Sequence, residues 1–483
     1  MSRSRFILLL VGLLQTLNVE SWTAERPAEL RPCTIEGVEG EARCGTYEVF
    51  EDRLAHSGRR IPLKIVVLPA TAGERQPDPL FIFAGGPGQA ATENVRFMAR
   101  TFAQVRRTRD IVLVDQRGTG GSNGLGCDLY GSRVQDQLGD LLPIEAIRHC
   151  AEEWQTRANL RFYTTEIAMA DIDEVRDALG YDRINIFGTS YGTRAAQVFM
   201  RQSPDRVRSV IMKGVTPIRS PLTTAMARDA QRSLDLCFED CAADPACRGA
   251  FPKLQEEFAQ VWERLEGGVE VELPTGEHDK TERVTITHAA IAPTIRTLLQ
   301  SIETNAELPL LIHQAAEGDY TPLAKTALTI RRGFSKAVSV GVFLLIGSIE
   351  DVAISEEKEI TRAAAGTFLG DYYFRQLQRA ASVFPSREMP TDYRTAVQSD
   401  IPTLLISGFV DPATPPSGAD EVASQLGNSR HVVVRYGSHS YGGLSPCVDN
   451  IMAEFIARGS VDGLQTGCAE QIRRPPFLTK PKE

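Results

Sequence analysis

Ser190 stands in the run Gly188-Thr-Ser-Tyr-Gly192, directly after the strand-like residues Ile184, Ile186 and Phe187 and directly before a helix-compatible run from Tyr191 to Met200. A serine hydroxyl is a weak nucleophile until a base takes its proton, so the chemistry to look for is acyl transfer, with an imidazole as base and a carboxylate to orient it. Glycines on both sides let strand and helix approach closely, the turn pushes the hydroxyl outward, and the amides that open the helix point at any negative charge developing beside it. The same five-residue pattern recurs at Gly120-Gly-Ser122-Asn-Gly124. Ser122, however, lies several residues past its strand in a glycine-rich loop with no helical pattern behind it, and is read as a loop residue.

The partners are expected at the ends of other strands. Asp411 follows the apolar run PTLLIS, in Gly408-Phe-Val-Asp411-Pro-Ala-Thr-Pro, and His439 follows the strand-like His431 to Tyr436, in a loop of small residues. Of the seven histidines only His439 combines a terminal strand with a small-residue loop. A second glycine turn, Gly85-Gly-Pro-Gly88, closes the buried-type strand Leu80 to Ala84. Because Pro87 has no amide hydrogen, Gly86 is the candidate oxyanion donor beside the amide of Tyr191. Serine, acid and histidine come in the order used by α/β-hydrolases, and Asp115, which precedes the serine, is assigned a structural place at its strand end.

These positions require a mostly parallel sheet with connecting helices. Runs at Leu80–Ala84, Asp110–Gln116, Ile184–Phe187 and Val207–Met212 read as buried strands, and Thr165 to Leu179, with Ile172, Val175 and Leu179 in register, reads as a helix between two of them. Before them, Thr46–Phe50 and Ile61–Leu68 suggest antiparallel strands. From about Ser220 to Ser399 the chain reads mainly as helices, with one β-like piece at Val269–Leu273. The expectation is an α/β-hydrolase fold with a mainly helical cap inserted late in the sheet: core at 25–219, cap at 220–399, and core with a cysteine-flanked extension at 400–483.

Arg3 and Arg5, the apolar run Phe6 to Leu14 and the polar residues after it have the layout of a signal peptide, taken as 1–24 and too short to span a bilayer. The expected location is therefore secreted or periplasmic, with no membrane contact after cleavage. Export permits disulfides, and the nine cysteines fall into local groups: Cys33 with Cys44, Cys127 with Cys150, Cys447 with Cys468, and Cys237, Cys241 and Cys247 together. In the last group the expected pair is Cys241 with Cys247, although Cys237 and Cys241 are also one helical turn apart. A net charge of −9 without a basic cluster excludes a nucleic-acid surface, and the cysteine spacings lack the paired form of a zinc site. No metal or cofactor is expected.

The chain resembles the secreted branch of the proline iminopeptidase and tripeptidyl aminopeptidase family of serine exopeptidases, through GGPG at 85–88, DQRGTGGS at 115–122, GTSYG at 188–192, DPATP at 411–415 and the final histidine, in that order. It departs from the family at Ala84, where a histidine is usual, at Ser438 and Ser440, which replace the glycines flanking the histidine, and at Ser348, where a cysteine is common. The resemblance implies a peptide substrate with a free amino terminus, cleaved through an acyl-enzyme by Ser190, His439 and Asp411. A carboxylesterase on the same scaffold is the rival reading. The segment Gly341 to Asp351 is similar to an acid-bearing cap stretch of the family, which makes Glu350 and Asp351 the candidate amine-binding pair.

Overall fold

The computed structural model describes residues 27–276, 280–440 and 446–481, so the expected leader at 1–24 lies outside the described residues. Nine strands form one sheet: β1 (Leu30–Cys33), β2 (Ala42–Phe50), β3 (Arg60–Leu68), β4 (Leu80–Phe83), β5 (Ile111–Val114), β6 (Ile184–Thr189), β7 (Val207–Lys213), β10 (Thr403–Gly408) and β11 (Ser429–Val434). The other two, β8 (Val269–Pro274) and β9 (Thr281–Ile286), make a separate antiparallel hairpin. Spatial order is β1-β2-β3-β5-β4-β6-β7-β10-β11, antiparallel from β1 to β5 and parallel from β5 to β11. The architecture is that of an α/β-hydrolase.

The strands form where apolar residues run without interruption, because both faces of the sheet are covered. β4 and β5 are buried throughout, and their side chains divide by parity. Phe81, Phe83, Val112 and Val114 enter the core on one face, which also holds Trp154 and Phe199, while Leu80, Ile82, Ile111 and Leu113 enter the core on the other, with Phe102 and Phe455. The order reverses at β4, whose neighbours are β5 and β6. A crevice at the carboxyl ends of strands on either side of such a reversal is where α/β proteins bind ligands.

Helices α1 (Thr165–Ala178) and α2 (Tyr191–Gln202) flank β6 in the chain. Between Lys213 and Thr403 the chain leaves the sheet and forms, among others, α3 (Leu222–Ala243), α4 (His288–Leu298), α5 (Val340–Ile346) and α6 (Tyr372–Ala381), together with the β8–β9 hairpin. Much of this insertion has its own core, built on residues such as Leu234, Val261, Leu273, Ile291 and Leu323. The acid-bearing stretch is different. Val340, Val342, Leu344, Leu345, Ile346 and Ile349 pack into the sheet's own core beside Phe83, Trp154 and Tyr191, and not into the core of the insertion. The reason is local: Ser339 N donates to Gly88 O at 2.8 Å and Gly341 N to Leu125 O at 2.8 Å, so α5 is threaded between the loops that follow β4 and β5.

Disulfides join Cys33 to Cys44, Cys127 to Cys150, Cys241 to Cys247 and Cys447 to Cys468, and Cys237 is a buried free thiol that burial pushes up to about 12. After the last bridge the chain returns to the insertion. There Arg474 pairs with Asp240 at 3.0 Å, Phe477 joins the core of the insertion, and Leu478 N donates to Ala306 O at 2.9 Å.

Candidate active site

Ser190 connects β6 to α2 with φ 54° and ψ −124°, a left-handed backbone that a residue with a Cβ adopts at a cost of about 1–3 kcal/mol. The flanking glycines make this turn possible. A Cβ on Gly188 would lie 2.4 Å from Gly192 O, and one on Gly192 would lie 2.1 Å from Phe83 O, so neither position accepts any other residue without moving backbone. The turn is then bolted in place: Ser190 N donates to Lys213 O at 2.9 Å, and Ser190 O accepts from Thr193 N at 2.9 Å and Thr193 Oγ1 at 2.6 Å. Ser122 has a different fate. It is fully buried, its hydroxyl donates to Asp115 O at 2.7 Å and accepts from Lys64 N at 2.9 Å, and Asp115 itself takes bonds from Thr92 and from Gly121 N.

Asp411 is wholly buried just past β10. Its Oδ1 accepts from Ala413 N at 2.7 Å and Thr414 N at 2.9 Å, and its Oδ2 accepts from Thr414 Oγ1 at 2.7 Å and His439 Nδ1 at 2.9 Å. Burial alone would raise its pKa, but the adjacent imidazole and the bonds from His439 and Thr414 outweigh it and hold the carboxyl down at about 2. Thr414 Oγ1 also lies 3.0 Å from His439 Nδ1. Since that hydroxyl gives its proton to Asp411, it accepts from Nδ1–H, which assigns the proton to Nδ1 and leaves Nε2 as the basic nitrogen.

The His439 side chain is 20% exposed and packs over Gly214, whose added Cβ would stand 3.5 Å from the ring. Gly214 directly follows Lys213, the residue that accepts from Ser190 N, so the end of β7 separates serine from imidazole by a single backbone step. Ser190 and His439 are not hydrogen-bonded to each other among the described residues. Residues 441–445 of the histidine loop lie outside them.

Two contacts with the insertion hold the histidine loop. Ser438 Oγ donates to Leu299 O at 2.5 Å, and Ser440 N donates to Gln300 O at 2.7 Å, forming a bridge with Ser301. The Ser438 hydroxyl and the Ser440 backbone amide are thus docking points for the turn after α4. On the acid side, Ser233 Oγ and Arg232 of α3 donate to Val410 O at 2.6 Å and Phe409 O at 2.8 Å.

Gly85 lies against the nucleophile, since its added Cβ would sit 3.2 Å from Ser190 Cβ. Gly86 is the next residue and has φ 105°. The Tyr191 amide is the first of α2, where no intrahelical acceptor exists, while its phenol is buried and bonded to Thr165 Oγ1 at 2.8 Å.

Glu350 and Asp351 lie against α2, at Arg194. Glu350 is fully buried, accepts from Thr165 N at 2.7 Å, from Thr165 Oγ1 at 2.8 Å and from Tyr393 OH, and stands 3.9 Å from Arg194. Asp351 pairs with Arg194 at 2.9 Å. Burial raises the Glu350 carboxyl, and Arg194 with the donated bonds opposes that rise. Thr414, Arg194, Tyr393 and the Leu299–Gln300 turn were not singled out in the sequence.

Residues 367–468, which include Asp411 and His439, match a family model described as TAP-like protein. Serine protease Hip1 from Mycobacterium tuberculosis is 24% identical over 94% of this chain and 94% of its own length, and tripeptidyl aminopeptidase from Streptomyces coelicolor is 25% identical over 90% of this chain and 84% of its own. Among solved structures, proline iminopeptidase from Mycobacterium smegmatis aligns with a TM-score of 0.41 at 16% identity, over 86% of this chain and 98% of its own. The expected resemblance to tripeptidyl aminopeptidases is therefore found in the sequence.

Proposed function

We propose that this chain, an α/β-hydrolase that resembles the tripeptidyl aminopeptidases and proline iminopeptidases, is an exported serine peptidase that removes residues or short peptides from free amino termini. The observation that carries the reading is the pair of buried Asp411 and partly exposed His439, tautomer fixed, one backbone step from a serine in a strained strand-to-helix turn. His439 Nε2 takes the Ser190 proton as Oγ attacks the scissile carbonyl, and Asp411 stabilises the imidazolium. The Gly86 and Tyr191 amides receive the oxyanion, and the imidazolium proton then passes to the leaving amine. A water activated by the same imidazole releases the acyl group.

The amine requirement is proposed to rest on Glu350 and Asp351. Arg194, four residues after Ser190 on α2, links both acids to the nucleophile helix. Because Arg194 is ion-paired to Asp351 at 2.9 Å and stands 3.9 Å from Glu350, an incoming ammonium has to displace it from Asp351 or meet Glu350 beside it. Export is supported by the leader-like amino terminus and by the four disulfides.

The test is a panel of chromogenic aminoacyl, dipeptidyl and tripeptidyl substrates, each free and amino-acetylated, beside a simple acyl ester. The expected outcome is cleavage of the free peptides and rejection of the acetylated ones, with Asp351→Asn lowering kcat/KM for free peptides far more than for the ester. Equal cleavage of free and acetylated peptides, or of the ester alone, would replace this reading with an esterase.

A further inference from the structure

Charge around the Asp411–His439 pair is left open at two cations. Arg296, in the last turn of α4, has its Nε sealed from solvent and without an acceptor, and among the described residues no hydrogen bond or ion pair reaches its guanidinium. Arg232, on α3, uses one nitrogen on Phe409 O at 2.8 Å, while its Nη1 is buried without an acceptor. Both guanidinium groups lie within electrostatic reach of the same two carboxylates, Asp229 and Asp411. Neither of those carboxylates is ion-paired to them: Asp229 pairs with Arg228 at 2.9 Å, and Asp411 is taken by His439 at 2.9 Å. Burial lowers the pKa of both arginines, as expected for cations removed from water without a counter-charge in contact.

A buried N–H left without an acceptor is costly, and a guanidinium is shaped to present a planar fork to a carboxylate. The helices that carry these two arginines are also bonded to the loops that carry the acid and the histidine. α3 is bonded to the loop that carries the acid, through Ser233 and Arg232, and the turn after α4 is bonded to the loop that carries the histidine, through Leu299 and Gln300. Tyr373, on α6, is a further electrostatic neighbour of Arg296.

We propose that Arg296, assisted by Arg232, is a carboxylate-binding subsite beside the reacting groups, so that the preferred substrates carry a carboxylate close to the scissile bond. That carboxylate is either an aspartate or glutamate side chain or the terminal carboxylate of a short peptide. The proposal rests on the serine-hydrolase reading above and narrows its substrate class.

Two matched series tell the sources apart: free-amine tripeptide chromogenic substrates ending in Glu or in Gln, and short peptides with a free or an amidated carboxyl terminus. The parent is expected to favour the carboxylate member of one series by about tenfold in kcat/KM, the worth of one charge-assisted hydrogen bond. Arg296→Gln is expected to bring that ratio to about one, with Arg296→Lys in between. Each ratio is internal to one enzyme, so a general loss of activity does not move it. A third pair, p-nitrophenyl acetate against the p-nitrophenyl half-ester of succinate, reads the same preference without peptide cleavage, so failure of the exopeptidase reading leaves this inference still measured. A parent with no preference in any pair, or a preference that survives Arg296→Gln, overturns it.

Discussion

Ser438 and Leu299 are 139 positions apart in sequence, yet the serine hydroxyl donates to the leucine carbonyl at 2.5 Å in a fully buried contact. This bond, with Ser440 N on Gln300 O, makes the orientation of His439 depend on the insertion. Ser438→Ala removes the donor and leaves the Leu299 carbonyl buried without it, at a cost of about 1–3 kcal/mol. The expected kinetic signature is a fall in kcat, with KM changed little. Steady-state kinetics on one chromogenic peptide checks this, and a variant that loses only stability would mean the loop holds its histidine unaided.

The nucleophile is tested against its rival match. A fluorophosphonate probe is expected to label Ser190, and Ser190→Ala is expected to abolish labelling and turnover with the fold intact. Ser122→Ala should keep labelling but lower the unfolding free energy by about 1–3 kcal/mol, because two buried backbone groups lose their partner. Thermal unfolding and gel labelling of both variants decide the matter.

Thr414 joins acid and base, giving its hydroxyl proton to Asp411 and accepting from His439 Nδ1–H. Thr414→Val keeps the shape and removes both bonds. Turnover is expected to fall by about 10- to 100-fold, in line with the loss of about 1.5–3 kcal/mol for a bond to a charged group. Thr414→Ser should restore most of it.

Acid stability follows from Asp411. Its folded pKa is about 2 against an ordinary 3.8, so its ionised form stabilises the fold above about pH 4, and that contribution is lost as pH falls through the folded pKa. The full difference is about 2.5 kcal/mol at 1.36 kcal/mol per pKa unit. Chemical unfolding of the parent and Asp411→Asn from pH 5 to pH 2 should show a slope in the parent that the variant lacks, beyond the loss common to both.

The elements that position the serine, acid and histidine were legible because each rests on local chemistry. β4 and β5 are uninterrupted apolar runs, β6 and β10 have buried apolar centres, and the elbow glycines are needed by backbone contacts within the turn and with the neighbouring strand β4. β1 was missed because its four residues, LRPC, have no alternation to read, and β9 because TERVTI is short and largely exposed. The seat of Glu350 and Asp351 was not legible for a different reason. An apolar run announces burial but not the partner, and Val340 to Ile349 meets the sheet's core through bonds to Gly88 and Leu125 that lie more than two hundred residues away. Arg194, Ser438 and Arg296 likewise take their meaning from neighbours that no periodicity links to them.

The place of the insertion has a consequence for how the protein is made. β7 is complete at Lys213, but its neighbour β10 begins only at Thr403. At about 5–20 residues per second, the intervening stretch of roughly 190 residues takes about 10–40 s to synthesise, and throughout that time β7 is a bare edge able to pair with another chain. The contacts of Arg474, Phe477 and Leu478 with the insertion come later still. The edge of β7 is closed only when the carboxyl-terminal strands arrive.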